Sequence, residues 1–166
     1  MFELKRLHKD ALEAALAKAE RYRLLNEARE AESICRDVLA VEPGFQEAKI
    51  LLVLALSDQF IHRLADTWAE AQAIVATLPD PYARAYYDGL LHERRAKAQL
   101  KSGRVGARQG AYHDFRHAMT LFESAAAVAP AGDDGALLRW NTCARILNGS
   151  PDITAGVDDS GPAMLE

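Results

Sequence analysis

The chain has 166 residues, of which 49% are hydrophobic and 27% charged, and its formal net charge is −4. This balance is typical of a soluble domain with a core, and the negative charge argues against general nucleic-acid binding. No apolar run could span a bilayer, the N-terminal residues contain no signal-peptide core, and both cysteines lie on apolar helix stripes. We therefore expect a cytoplasmic protein with reduced thiols.

The first predicted helical pair spans about residues 10–40. Apolar residues at helical spacing predict one helix over 10–24, with Asp10 as its N-cap, and a second over 28–40. Pro43 and Gly44 end the pair, because proline cannot continue the helical hydrogen bonds and glycine accepts unusual backbone angles.

A second and an enlarged third pair follow. The second pair is predicted over 46–56 and 59–77 and ends at the prolines of 78–81. The third is predicted over 82–101 and 111–128, joined at 102–110 by a glycine-rich segment that indicates a mobile loop.

A last helix is predicted over 136–147. From residue 148 onward the composition is typical of disorder. The expected organisation is therefore a helical domain over 1–147 and a disordered tail over 148–166.

Two spacings recur in these helices. A-x3-F-x2-A-x4-P occurs in the third pair and returns, with smaller or branched residues, in the first, and the last helix carries a variant of W-x2-L-G-x2-Y. The residues are Ala118, Phe122, Ala125 and Pro130, then Ala31, Cys35, Val38 and Pro43, and finally Trp140, Cys143, Ala144 and Leu147.

Over about residues 11–147 the chain thus resembles a tetratricopeptide repeat (TPR) array. The resemblance implies an all-α, right-handed superhelix of three units plus a C-terminal capping helix. It also implies a concave groove lined by the first helix of each unit.

Proteins of the TPR family are scaffolds that hold peptides or helices, and this chain also looks like small bacterial TPR proteins without an assigned activity. The resemblance implies a non-enzymatic adaptor without a cofactor. The alternative is self-association, because repeat arrays often stack through an incomplete end.

Charge is distributed unevenly along the chain. Residues 84–117 contain eight basic and three acidic residues, a local charge of +5 within an acidic remainder. Such a band suggests an anionic partner, and the alternative is a solvated helix face. Aromatic residues interleave with the band, which would also suit single-stranded nucleic acid.

The predicted binding site lies between the third unit and the capping helix, where guanidinium and amide groups could hold a partner's carboxylate. The partner would be an acidic or carboxylate-bearing segment. In the first two units the corresponding faces offer Leu16, Glu20 and Leu51 instead. The five predicted contact residues are Tyr86, Arg94, Leu138, Asn141 and Arg145.

A separate hypothesis concerns His113 and His117, which stand four residues apart on one side of a helix and could bind zinc. Asp114 follows His113 in an order that resembles H-E-x-x-H, but aspartate is one methylene too short for the general base of that motif. The alternative is a pair of solvent-exposed histidines on a repeat helix.

Overall fold

The structure, a computed structural model, describes residues 2–155. In this range the chain forms a short 3-10 helix and seven α-helices and contains no strand, which confirms the predicted all-α class. None of the described helices is long and apolar enough to cross a membrane. The 3-10 helix is Lys9–Ala11, and the α-helices are α1 Leu12–Leu24, α2 Ala28–Val41, α3 Gln46–Asp58, α4 Phe60–Ala76, α5 Pro81–Ser102, α6 Ala107–Ala126 and α7 Gly135–Gly149.

The start of α5 shows how the sequence fixes a helix boundary. The carboxylate of Asp80 accepts hydrogen bonds from the backbone N–H groups of Tyr82 and Ala83, which have no partner inside the helix. Pro81 occupies the first turn, where its missing N–H costs nothing.

The prediction of a long loop at 102–110 is wrong. Only residues 103–106 lie outside helices, and α6 begins at Ala107, four residues earlier than predicted. Gly103 and Gly106 have φ values of 62° and 78°, so they form a tight left-handed turn instead of a flexible linker. Gly110 lies inside α6, where a Cβ would stand 2.7 Å from the side-chain oxygen of Gln99 on α5.

Two other boundaries also differ from the prediction. Asp10 lies in the 3-10 helix and does not cap α1, which begins at Leu12. Helix α7 continues through Gly149, and Ile153 beyond it is buried, so the predicted tail start at 148 falls within folded chain. The rest of that tail, 156–166, lies outside the described residues.

The helices pack in chain order. Each helix contacts the next, and α1 also contacts α3, α3 contacts α5 and α5 contacts α7. One core cluster surrounds Leu52, Leu56 and Phe60, and a second surrounds Phe115 and Phe122. We call the side on which α1, α3, α5 and α7 meet the odd-helix face.

The recurring spacing marks the closest helix contacts. The side chains that carry it are fully buried in both units: Ala31, Cys35, Val38, Ala118, Phe122 and Ala125. A Cβ at Gly89 on α5 would lie 2.8 Å from the Phe122 ring, closer than packed atoms approach. The small residue in α5 therefore lets α6 pack directly on its backbone.

Candidate binding face

The predicted site residues lie on α5 and α7, which contact each other on the odd-helix face. The structure brings only some of them into ion pairs or aromatic packing. Their existing contacts decide which of them could bind a partner.

Arg94 is held by α3. One guanidinium nitrogen donates to the Leu54 carbonyl at 3.1 Å, to the Ser57 hydroxyl at 2.6 Å and to the Asp58 carboxylate at 2.5 Å. Asp58 also lies 2.7 Å from Nε of Arg23 on α1. Arg94 thus joins the first and second units to the third and is already paired within the chain.

Burial lowers the pKa of Arg94. The carboxylate of Asp58 acts in the opposite direction, and the positive charges of Arg23 and Arg139 lower the pKa further. Three arginines therefore approach one another along the odd-helix face, where Asp58 and Glu93 compensate them. Each of the three arginines therefore already has a carboxylate partner inside the chain.

The contact between α5 and α7 is built on Glu93, whose side chain is completely buried. Lys97 lies one turn further along α5 and donates to its carboxylate, and Arg139 reaches it from α7 at 3.3 Å. Burial would lower the pKa of Arg139, but Glu93 and Tyr86 raise it above its ordinary value. Sequence reasoning missed Arg139, because nothing in the spacing shows that Glu93 points inward.

Tyr86 lies in an aromatic cluster rather than open to solvent. Its ring packs at 5.7 Å on Tyr82, 5.2 Å on Tyr87 and 5.9 Å on Phe122, measured between ring centroids. The side chain is half-buried and helps join α5 to α6.

On α7 the predicted residues are more accessible. Leu138 is 64% exposed, Arg145 is exposed and Asn141 is half-buried. Within the described residues no hydrogen bond or ion pair links Asn141 or Arg145 to Arg94. The predicted anchors therefore do not form one interconnected polar cluster.

The basic band of residues 84–117 is largely used inside the fold. Arg84 donates to the carbonyls of Leu78 and Pro79 after α4, and Arg108 pairs with Asp152. Arg94, Arg95 and Lys97 also have acidic partners. Only Lys101, Arg104 and Arg116 of the band are exposed without a partner among the described residues.

A second polar cluster joins α5 to α6 around the buried carboxylate of Asp114. His92 Nδ1 lies 2.8 Å from this carboxylate, and Arg95 donates hydrogen bonds to both of its oxygens. Gln99 donates a third hydrogen bond to it at 2.9 Å. Burial alone would raise the pKa of Asp114, but the hydrogen bonds from His92 and Arg95 hold it below its ordinary value. Arg95 also stacks 3.8 Å above the Trp68 ring of α4.

Both predicted histidines are exposed on α6, as the alternative to zinc binding expected. His113 lies beside the Tyr112 ring, and the ring of His117 lies edge-on to His92 with centroids 4.3 Å apart. Among residues 2–155 no three His, Cys, Asp or Glu side chains come together as a metal site.

Within residues 2–155, no serine, threonine or cysteine side chain is hydrogen-bonded to His92, which could otherwise activate it as a nucleophile. Both thiols are buried, and burial raises the pKa of Cys35 and of Cys143 to about 12. Thiolate, the reactive form, is therefore scarce at neutral pH.

An apolar hollow on the odd-helix face lies where α1, α3 and α5 meet. It has a volume of about 670 Å³, and we call it the α1–α3–α5 groove. Its apolar side chains are Leu16, Phe45, Ile50, Leu51, Leu54 and Tyr87, and its acidic side chains are Glu13, Glu20 and Glu47.

The three glutamates of this groove are exposed, and none has a cationic partner within 4 Å among residues 2–155. Leu16, Glu20 and Leu51 were the residues that the sequence placed on this face. Their spacing could have located the groove, but the charge of the basic band directed the prediction to the third unit.

A larger hollow of about 750 Å³ lies at the turns between α1 and α2 and between α3 and α4. Its walls carry charges of both signs, and two of its three arginines are used internally, since Arg23 faces Asp58 and Arg63 faces Glu32. This hollow has no dominant charge and few apolar side chains.

Comparison with other proteins does not extend these observations. The sequence matches no protein-family model, and no curated protein or solved structure is significantly similar to it.

Proposed function

We propose that the protein is a non-enzymatic adaptor that holds a segment of another polypeptide on the odd-helix face, in a TPR-like manner. The observation that carries the proposal is the α1–α3–α5 groove, an apolar hollow of about 670 Å³ edged by exposed carboxylates. Helical repeat proteins use such concave surfaces to bind extended or helical segments.

The site belongs in this groove and not at the contact between α5 and α7. Arg94 and Arg139 are already paired with Asp58 and Glu93, so binding an acidic segment there would first have to break those pairs. Separating a buried ion pair costs free energy, because it leaves a buried charge without its partner. In contrast, the groove glutamates have no cation to release.

The chemistry of the groove specifies the partner. Leu16, Ile50 and Leu54 offer apolar contact, and Glu13 and Glu20 stand about two turns apart on α1. A segment that alternates apolar with basic residues complements both features, since charge complementarity speeds association and suppresses wrong partners. The proposed partner is therefore a basic, apolar segment.

Selection from a random peptide display library tests this proposal. Wild-type protein should enrich peptides that combine apolar and basic residues, and Glu20→Lys should abolish that enrichment. The matched control is Asp66→Lys, which makes the same change of charge at an exposed position on α4. Enrichment of acidic peptides, or equal loss in the control, would contradict the groove as the site.

A further inference from the structure

The N-terminal segment, residues 2–8, has the chemistry that the groove requires. It forms no helix or strand, and Phe2 and Leu4 are 99% and 91% exposed. Lys5 and Arg6 are exposed beside them and have no ion-pair partner among the described residues. We call residues 2–8 the arm.

We propose that the arm docks in the α1–α3–α5 groove of a second copy of the chain, so that two copies exchange arms. This inference rests on the proposed function, because it names an occupant of the same groove. Contiguous exposed apolar surface marks interaction sites, and Phe2 and Leu4 lie two residues apart in the arm. Here the exposed apolar segment and an open apolar groove occur in one molecule.

The charges of the two surfaces are complementary. The arm carries Lys5 and Arg6 against one acid, Glu3, for a net charge of +1 with His8 neutral, and the groove is edged by Glu13, Glu20 and Glu47. In an extended segment Phe2, Leu4 and Arg6 project to one side, because alternate residues share a face. The arm can therefore place two apolar side chains and one cation into the groove while Lys5 lies at its rim.

The free length of the arm matches the lower end of the distance across the groove. Leu7 packs in its own chain, so residues 2–6 are free, and five extended residues span about 16 Å. Crossing from α1 over α3 to α5 covers two helix spacings of about 8–10 Å each, or about 16–20 Å.

The arm leaves the body beside the groove. Leu7 packs against the small core of Leu12, Val38 and Ala48, and so do Leu16 and Phe45, which line the groove. An arm that starts at the edge of its own groove can cross to a neighbouring copy, and the neighbour's arm can return. The exchange is isologous and closes with two copies, as in most homodimers.

Charge reversal in two separate variants tests the exchange. The first variant carries Lys5→Glu and Arg6→Glu, and the second carries Glu13→Lys and Glu20→Lys. All four side chains are exposed, so both variants should fold like the wild type, which circular dichroism and thermal unfolding would verify. Sedimentation velocity then measures association of the wild-type chain, of each variant and of their equimolar mixture.

The wild type should pass from monomer to dimer over concentrations of about 1 to 100 μM. Each variant alone should dimerise at least about tenfold more weakly, because the arm of one copy then meets a groove of the same charge on the other copy. The mixture should regain dimerisation, because each arm then meets a groove of opposite charge. A wild-type chain that stays monomeric, including one whose arm fills its own groove, overturns the proposal.

Two further results would also overturn it. One is dimerisation of either variant as strong as that of the wild type, and the other is a mixture that stays monomeric. Peptide selection with the arm-reversed variant separates this inference from the proposed function. If the sedimentation results overturn the exchange and that variant still enriches basic, apolar peptides, the groove binds polypeptide but not the arm, and only the arm exchange fails. If it enriches no such peptides, the proposed function fails as well.

Discussion

At the α1–α3 end of the odd-helix face, Glu13, Glu20 and Glu47 are exposed around apolar side chains, whereas at the α5–α7 end Glu93 is completely buried between Lys97 and Arg139. The two ends thus use the same residue type for different purposes. An exposed carboxylate beside apolar surface can attract a partner, and a buried one holds two helices together.

This contrast extends through the second half of the chain. Asp114 and Arg94 are both turned inward and joined to several partners, although they belong to the stretch with the highest local positive charge. A local charge counted along the sequence therefore says little about the charge that a partner meets. What matters is whether each charged group already has a partner inside the fold.

The largest expected effect is that of Asp114→Ala. Removing this carboxylate leaves the guanidinium group of Arg95 unpaired at a largely buried position, and we expect a loss of about 3–5 kcal/mol in the free energy of unfolding. Urea unfolding measures it, and Asp66→Ala, at an exposed position on α4, should stay within about 0.5 kcal/mol of the wild type. If both variants behave alike, the charges of the second half do not hold the fold together.

Arg94→Ala has an intermediate expected effect. The variant loses charge-assisted hydrogen bonds to Asp58 and to two α3 groups, for which we expect about 1.5–3 kcal/mol. Arg145→Ala, on exposed α7 surface, should change stability by less than about 0.5 kcal/mol. Chemical unfolding of both variants makes the comparison. An Arg94→Ala variant as stable as the wild type would return Arg94 to the set of accessible binding residues.

The helices could be predicted from sequence because their apolar spacing reflects burial. Ala118, Phe122 and Ala125 are buried as their pattern indicates, and the prolines end the helices where expected. The segment at 102–110 was mispredicted, because Gly103 and Gly106 provide positive φ in a tight turn, and glycines in a flexible loop have the same composition.

The candidate site was less predictable, because pairing between distant residues leaves no local signal. Arg94 and Asp58 are 36 positions apart, and His92 and Asp114 are 22 apart. The contact between His92 and His117 likewise depends on how α5 and α6 pack. Sequence placed Leu16, Glu20 and Leu51 on the faces of the first two units that correspond to the predicted site, but only the structure shows that they line one groove.

The smallest of the three effects is a pH dependence that both halves should share. Burial alone would raise the pKa of Glu32 on α2, but hydrogen bonds from Gln59 and Arg36 lower it below its ordinary value of 4.5. In the same way, the contacts of Asp114 lower the pKa of Asp114 below its ordinary value of 3.8. A carboxylate whose folded pKa is depressed stabilises the fold above its unfolded pKa, and this contribution disappears as the pH falls through the folded value.

The wild type should therefore lose stability as the pH falls below about 4.5, through the range in which the two carboxylates take up protons. Asp114→Asn and Glu32→Gln should each show a shallower dependence, because each lacks one of the two groups. Urea unfolding between neutral pH and pH 3 measures the slopes. If only Asp114→Asn has a shallower dependence of stability on pH, buried carboxylates stabilise the second half of the chain alone. The two halves then differ more than the contacts of Glu32 indicate.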